Sequence, residues 1–128
     1  NTYHTERSEE HLAYEKNSKD RNFITTNKNY KILDQTTDIN GKKLKIIKIP
    51  MPKPMYIDEV RVPASYLNFY IANKIVLLPT FNDQNDKKVI KIFKKYFKKR
   101  KIVPINCKEL IWGFGAIHCM TQQEPALS

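Results

Sequence analysis

A single apolar stripe constrains this chain more than any other feature. Val89, Ile92, Phe93, Tyr96 and Phe97 recur at i, i+3, i+4, i+7 and i+8, and lysines 87, 88, 91, 94, 95, 98 and 99 fill the positions around them. The period is helical, and such a stripe must be covered by another element. The spacing predicts an amphipathic helix from Asp83 to Arg100, with Asn82 or Asp83 as cap and Lys98-Lys99-Arg100-Lys101 at the end where cations favour the helix dipole. Around it lie β-rich runs. Tyr66 to Ala72 and Lys74 to Leu78 read as strands around a tight turn at Asn73, closed by Pro79, and Lys101 to Ile105 reads as a third. Strand, strand, helix, strand is α/β alternation, which excludes a helical bundle and a β sandwich.

The rest of the chain is less periodic. Ser8 to Lys16 reads as a short helix, and Asn17-Ser18-Lys19-Asp20 as a loop. Tyr30 and Leu33 suggest a second helix that starts at Asn27 and ends before Asp38. Asn40-Gly41 is a turn signal, and Leu44 to Ile49 a strand stopped by Pro50, Pro52 and Pro54. After Ile105, Asn106 can cap a short turn through Trp112, where the indole is expected in the core. Gly113-Phe114-Gly115 breaks that turn, and Ala116 to Thr121 is expected to be extended.

With 128 residues, the chain is long enough for one domain with its own core. Its longest uncharged apolar run, Ile75 to Pro79, is too short to span a membrane. Asn1-Thr2-Tyr3-His4 lacks the basic flank and apolar stretch of a secretory leader, and the absence of an initial Met suits a processed, trimmed or partial product. Cys107 and Cys119 are expected to be free thiols in a reducing, cytoplasmic setting. The net charge of +10 invites a nucleic-acid reading, but the excess is mostly lysine and no recognition motif accompanies it. A lysine face on a docked helix accounts for it more simply than a basic binding module does.

The chemistry sits near the C-terminus. Gly113-Phe114-Gly115-Ala116-Ile117-His118-Cys119-Met120-Thr121-Gln122-Gln123-Glu124-Pro125 resembles the terminal active-site motif of the agmatine deiminase family, Gly-x-Gly-x-x-His-Cys-x-Thr-Gln-Gln-x-Pro. Upstream blocks resemble the family in the same order: Asn40 to Leu44, Pro50 to Tyr56, Pro63 to Phe69, Val76 to Pro79 and Asn82 to Asp86. Residues 27–126 carry the likeness, whereas residues 1–26 match poorly. The resemblance implies that residues 1–128 are the C-terminal portion of a pentein-type α/β propeller built from ββαβ modules. It also implies hydrolysis of agmatine to N-carbamoylputrescine and ammonia, with no metal or organic cofactor.

In that reading Cys119 is the nucleophile. A guanidinium carbon is a poor electrophile, so a thiolate is the suitable attacking group, and a bound substrate cation favours it. Gly113 and Gly115 are expected to permit positive φ and close backbone approach, their plain alternative being an ordinary turn. Asn68 is a candidate for bonding the substrate or the loop that carries Cys119, unless it merely satisfies neighbouring backbone. His118 adjoins the nucleophile, but neighbours in an extended segment point to opposite faces, so it is read as a backbone-positioning residue. His4 and His11 are read as surface histidines, and Cys107 as a small buried hydrophobe.

The family's base comes from an upstream His-x-Asp motif, and its guanidinium-binding carboxylates from N-terminal modules. Neither has a counterpart here, so partner modules are expected for activity. Membrane and nucleic-acid partners are not expected, and assembly as a homo-oligomer stays open. Peptidyl-arginine deimination is the alternative activity.

Overall fold

Strand pairing, not local preference, decides the N-terminal segment. The computed structural model describes residues 2–6 and 9–124, with 2–6 and 9 described by backbone alone. β1 (Thr2–Glu6) pairs antiparallel with β2 (Glu9–Tyr14), and β2 pairs in parallel with β3 (Lys45–Pro50). The helix expected from Ser8 to Lys16 is therefore a strand. Its Glu, Leu, Ala and Lys content favours a helix locally, but β2 is bonded along both edges, and such tertiary pairing overrides weak propensity. His11, read from sequence as a surface residue, is fully buried in β2, and Leu12 and Ala13 after it are buried too.

α1 (Asn22–Gln35) connects β2 to β3 and starts five residues before the expected Asn27. Asp20 explains the early start, because its carboxylate accepts the Asn22 N–H at 2.8 Å and its main-chain oxygen accepts that of Phe23 at 2.9 Å. The same carboxylate meets Arg61 Nη1 at 2.8 Å, with both side chains nearly buried, and this hydrogen bond holds the Asp20 carboxyl below its usual titration range. Arg61 belongs to β5 (Val60–Val62), which forms a hairpin with β4 (Met55–Ile57) through Asp58 and Glu59, both at positive φ. Two left-handed residues make the turn type that suits strand twist, although Asp-Glu is not the usual signal for it.

The second unit follows the expected order. β6 (Tyr70–Ile71) pairs antiparallel with β7 (Ile75–Thr80), α2 (Asp86–Tyr96) follows, and β8 (Lys101–Asn106) pairs in parallel with β7. The first strand is shorter than predicted. Tyr66 and Phe69 are buried instead in a turn, and the Tyr66 hydroxyl donates to Asp86 Oδ1 at 2.7 Å. Burial, and after it the Asp86 bond, raises the Tyr66 pKa far above the ordinary phenol value. Pro79 does not close the hairpin but pairs with Ile105 inside β7. The helix stops at Tyr96, short of Arg100, and Asn85 occupies its N-cap position with no side-chain cap bond, so neither Asn82 nor Asp83 serves as expected.

The same ββαβ arrangement thus occurs twice, as β1-β2-α1-β3 and β6-β7-α2-β8. Among the described residues the strands form three separate sheets and no closed one, so the fold is mixed α/β. α2 joins the two units. Phe93 and Phe97 pack on Phe69 of their own unit and on His11 of β2, while the α2 lysines stay exposed. The stripe is docked and the lysine face solvated, as the simpler reading expects. Among the described residues, no helix is long and apolar enough to cross a membrane.

Candidate active site

After β8 the chain makes two tight turns, and these set the position of Cys119. Asn106 Oδ1 accepts the Lys108 N–H at 3.0 Å and opens a 3-10 turn, Leu110–Gly113, anchored by buried Ile111. Trp112, expected in the core, is 62% exposed, because a turn this short presents only one face inward and Ile111 takes it. The left-handed residue that breaks the turn is Phe114, with φ 59°, rather than Gly113 or Gly115. Buried Ala116 and Ile117 then lead into a second 3-10 turn, His118–Met120.

That second turn replaces the extended tail expected from the β-prone residues. Thr121 closes it, with its N–H and Oγ1–H both donating to the His118 carbonyl at 3.2 and 2.9 Å. Thr121 is a residue that sequence reasoning did not single out, although a Thr three residues after a turn start is a usable closing signal. His118 and Cys119 still diverge, now because successive residues of a 3-10 turn lie about 120° apart. His118 takes part through its main chain, its N–H donating to the Asn68 carbonyl at 3.2 Å.

Asn68 and Cys119 meet across 51 positions of sequence. Asn68 Nδ2 donates to Cys119 Sγ at 2.8 Å, and Asn68 Oδ1 accepts the Cys119 N–H at 3.2 Å. The cysteine also faces Gly115, where an added Cβ would fall 2.6 Å from Cys119 Cβ and 3.0 Å from Sγ. Gly115 therefore serves close approach, and positive φ is not its reason. Gly113 has neither a positive φ nor a crowded Cβ direction, so neither expected reason for a glycine applies there.

Of the expected site residues, Asn68 and Gly115 thus each meet Cys119, and His118 joins through its backbone. Exposed Trp112, Phe114 and Met120 lie on the same two turns. His4 lies in β1, its side chain outside the described residues. Pro125 at the end of the motif lies outside the described residues. Asp86 is the second residue missed. Its carboxylate gathers the Tyr66 hydroxyl with the Phe81 and Asp83 N–H groups and so fixes the loop that carries Asn68. No fixed spacing announces such a hub.

Both cysteines are free thiols. Cys107 is fully buried, and burial pushes its thiol pKa up, whereas Cys119 is exposed. Iodoacetamide at neutral pH is expected to label Cys119 at least about tenfold faster than Cys107, measured by peptide mass spectrometry over time. Equal or inverted rates would contradict the assignment of Cys119 as the reactive thiol. Among the described residues no group of three or more His, Cys, Asp or Glu side chains is placed to hold a metal ion. A cavity of about 290 Å³ opens beside the start of α1, lined in part by Arg21, Asn22, Arg61 and Ser65, and Cys119 is not in its lining.

Comparison with known proteins places the chain in a family. The family model for Porphyromonas-type peptidyl-arginine deiminase matches residues 5–125. A Latilactobacillus sakei protein, whose name proposes an agmatine deiminase, is 36% identical over 133 residues, covering 90% of this chain and 36% of the relative. A Mycoplasma capricolum protein named in the same way is 37% identical over 113 residues, covering 75% of this chain and 31% of the relative. The chain thus spans about a third of the length of these curated relatives. The solved agmatine deiminase of Enterococcus faecalis superposes with a TM-score of 0.84 at 29% identity, over 92% of this chain and 37% of that one. A solved Porphyromonas gingivalis protein superposes with a TM-score of 0.93 over 97% of this chain and 37% of its own, and at 24% identity it shows the fold alone.

Proposed function

This chain belongs to the Porphyromonas-type peptidyl-arginine deiminase family, and on that premise we propose that it supplies the nucleophile of an agmatine deiminase-like amidine hydrolase. The observation that carries the reading is the exposed Cys119 thiol, fixed between Asn68 and Gly115 on a short turn. The two ββαβ units are then consecutive modules of a pentein-type propeller, completed by modules outside this chain.

The Cys119 thiolate attacks the guanidinium carbon of agmatine and forms a C–S bond. The tetrahedral adduct collapses with cleavage of one C–N bond, and the departing nitrogen, protonated by a general acid, leaves as ammonia. Water then adds to the carbon of the amidino-thioether, a general base takes its proton, and the C–S bond breaks. N-carbamoylputrescine leaves and the thiol is restored. The acid-base group and the guanidinium-binding carboxylates are assigned to the absent modules, and the product would enter putrescine formation in the cytoplasm.

The test is ammonia and N-carbamoylputrescine release from agmatine, with a peptidyl-arginine substrate run in parallel. A full-length form of the protein is expected to turn over agmatine, whereas the 128-residue chain alone is expected to lose at least about a thousandfold, because positioning and proton transfer each contribute orders of magnitude. Citrulline formed from the peptide, with agmatine untouched, would overturn the substrate assignment. Robust turnover by the isolated chain would overturn the assignment of the base to absent modules.

A further inference from the structure

We propose that Asn68 is the positioning residue of the nucleophile, its side-chain amide aiming Cys119 Sγ while it anchors the cysteine backbone. The inference rests on Cys119 being the nucleophile of the proposed reaction.

The orientation of the amide follows from its partners. The Cys119 main-chain N–H can only donate, so the group 3.2 Å away must be Oδ1. The amide is planar, which leaves Nδ2 directed at Sγ, 2.8 Å away. A third bond, from His118 N–H to the Asn68 carbonyl at 3.2 Å, secures the turn just before the cysteine. One residue therefore holds two consecutive amides of the turn and the sulfur itself.

Asn68 is in turn held by the body of the fold. Its N–H donates to the Ser65 carbonyl at 3.2 Å, and the Leu67 N–H donates to Ser65 Oγ at 3.2 Å. Tyr66 and Phe69, on either side of the pair Leu67-Asn68, are both 1% exposed, and Asp86 at the start of α2 fixes the Tyr66 hydroxyl. The strand-helix unit thus delivers a fixed donor to an exposed thiol. Gly115 also packs against the cysteine, because its missing Cβ leaves room for Cys119 Cβ. Cys119 nonetheless stays exposed, so the sulfur remains open to an incoming reagent.

Two replacements separate aiming from anchoring. Asn68→Asp keeps an oxygen to accept the Cys119 N–H but loses the donor to sulfur and sets a negative charge against the thiolate. Asn68→Ala loses both. The readout is the pH profile of iodoacetamide labelling at Cys119 in the full chain, with protection of Cys107 as the internal measure of folding. It does not involve agmatine, so failure of the proposed function and failure of this inference are distinguishable. Asn68→Asp is expected to move the profile up by about one pH unit or more, slowing labelling roughly tenfold at neutral pH. Asn68→Ala should shift it in the same direction by less. A wild-type profile in Asn68→Asp, with Cys107 still protected, would overturn the proposal. If Asn68→Asp opens Cys107, then Asn68→Ala decides, and a wild-type profile there overturns it equally. Opening of Cys107 by both replacements would mark a purely structural residue and also overturn it.

Discussion

Replacing Phe93 by alanine is expected to remove about 3–5 kcal/mol of folding stability, as truncation of a large buried aromatic does. Phe93 is 0% exposed and lies where the two ββαβ units meet. Its ring stands edge-on to Phe69 at 4.9 Å, stacks on Phe97 at 5.4 Å and contacts His11 of β2 at 5.8 Å. Truncation would leave a void with no small side chain nearby to fill it, since these neighbours are rings held by their own strands and helix. A domain of this size has about 5–15 kcal/mol in total, so the loss is a large share. Equilibrium urea unfolding measures it. Phe93→Leu should lose less, about 1–2 kcal/mol, because most of the apolar volume remains. Lys94→Ala, next to it on the exposed face, should stay within about 0.5 kcal/mol of wild type. Wild-type stability in Phe93→Ala, or an equal loss in Lys94→Ala, would contradict the packing of the helix.

What could be read from sequence depended on whether one local rule governed the segment. α2 was legible because its stripe is both its helical signal and its packing surface, and Val89 and Phe93 are buried as that stripe requires. β3 and β8 were legible because β-branched runs there end in prolines or polar turns. β2 was not, because Glu-Glu-His-Leu-Ala-Tyr has helical preferences and becomes a strand only through partners 30 or more positions away on one side and a short return on the other. His11 was misplaced for the same reason. A histidine in a polar stretch looks like surface until α2 covers it.

At the site, the motif carried Cys119 and Gly115, but the reasons were partly different. The glycines were expected to supply positive φ and close backbone approach; the chain puts the positive φ on Phe114, and only Gly115 serves close approach. What Gly115 contributes is the missing methyl group against Cys119, a three-dimensional fact that no spacing rule encodes. Asn68 was legible only as a pair of options, substrate or cysteine loop, and the hydrogen bonds join it to the loop. Tyr66 and Asp86 lie behind it, 20 positions apart, in a bond that neither residue type announces.

Substituting Cys119 by serine in a full-length form of the protein should reduce agmatine turnover by at least about four orders of magnitude, the scale of removing a covalent nucleophile. The hydroxyl fits the space, so the turn and its bonds to Asn68 should persist. Chemistry is what changes. A serine hydroxyl is scarcely ionised at neutral pH, whereas a thiol is partly so and is far more nucleophilic at the same basicity. The guanidinium carbon, its charge spread over three nitrogens, has little reactivity to offer a neutral alcohol. Because Cys119 is exposed, the stability of the variant should remain within about 0.5 kcal/mol of wild type, so that lost turnover cannot be ascribed to unfolding. Cys107→Ser supplies the opposite control. Its sulfur is fully buried 3.4 Å from the Ile105 carbonyl, so that change should lower stability and leave turnover of the folded fraction nearly intact. Agmatine binding measured directly should survive Cys119→Ser, since the lost group reacts with the substrate rather than holding it. Full activity in Cys119→Ser, or loss only in Cys107→Ser, would remove Cys119 from the reaction.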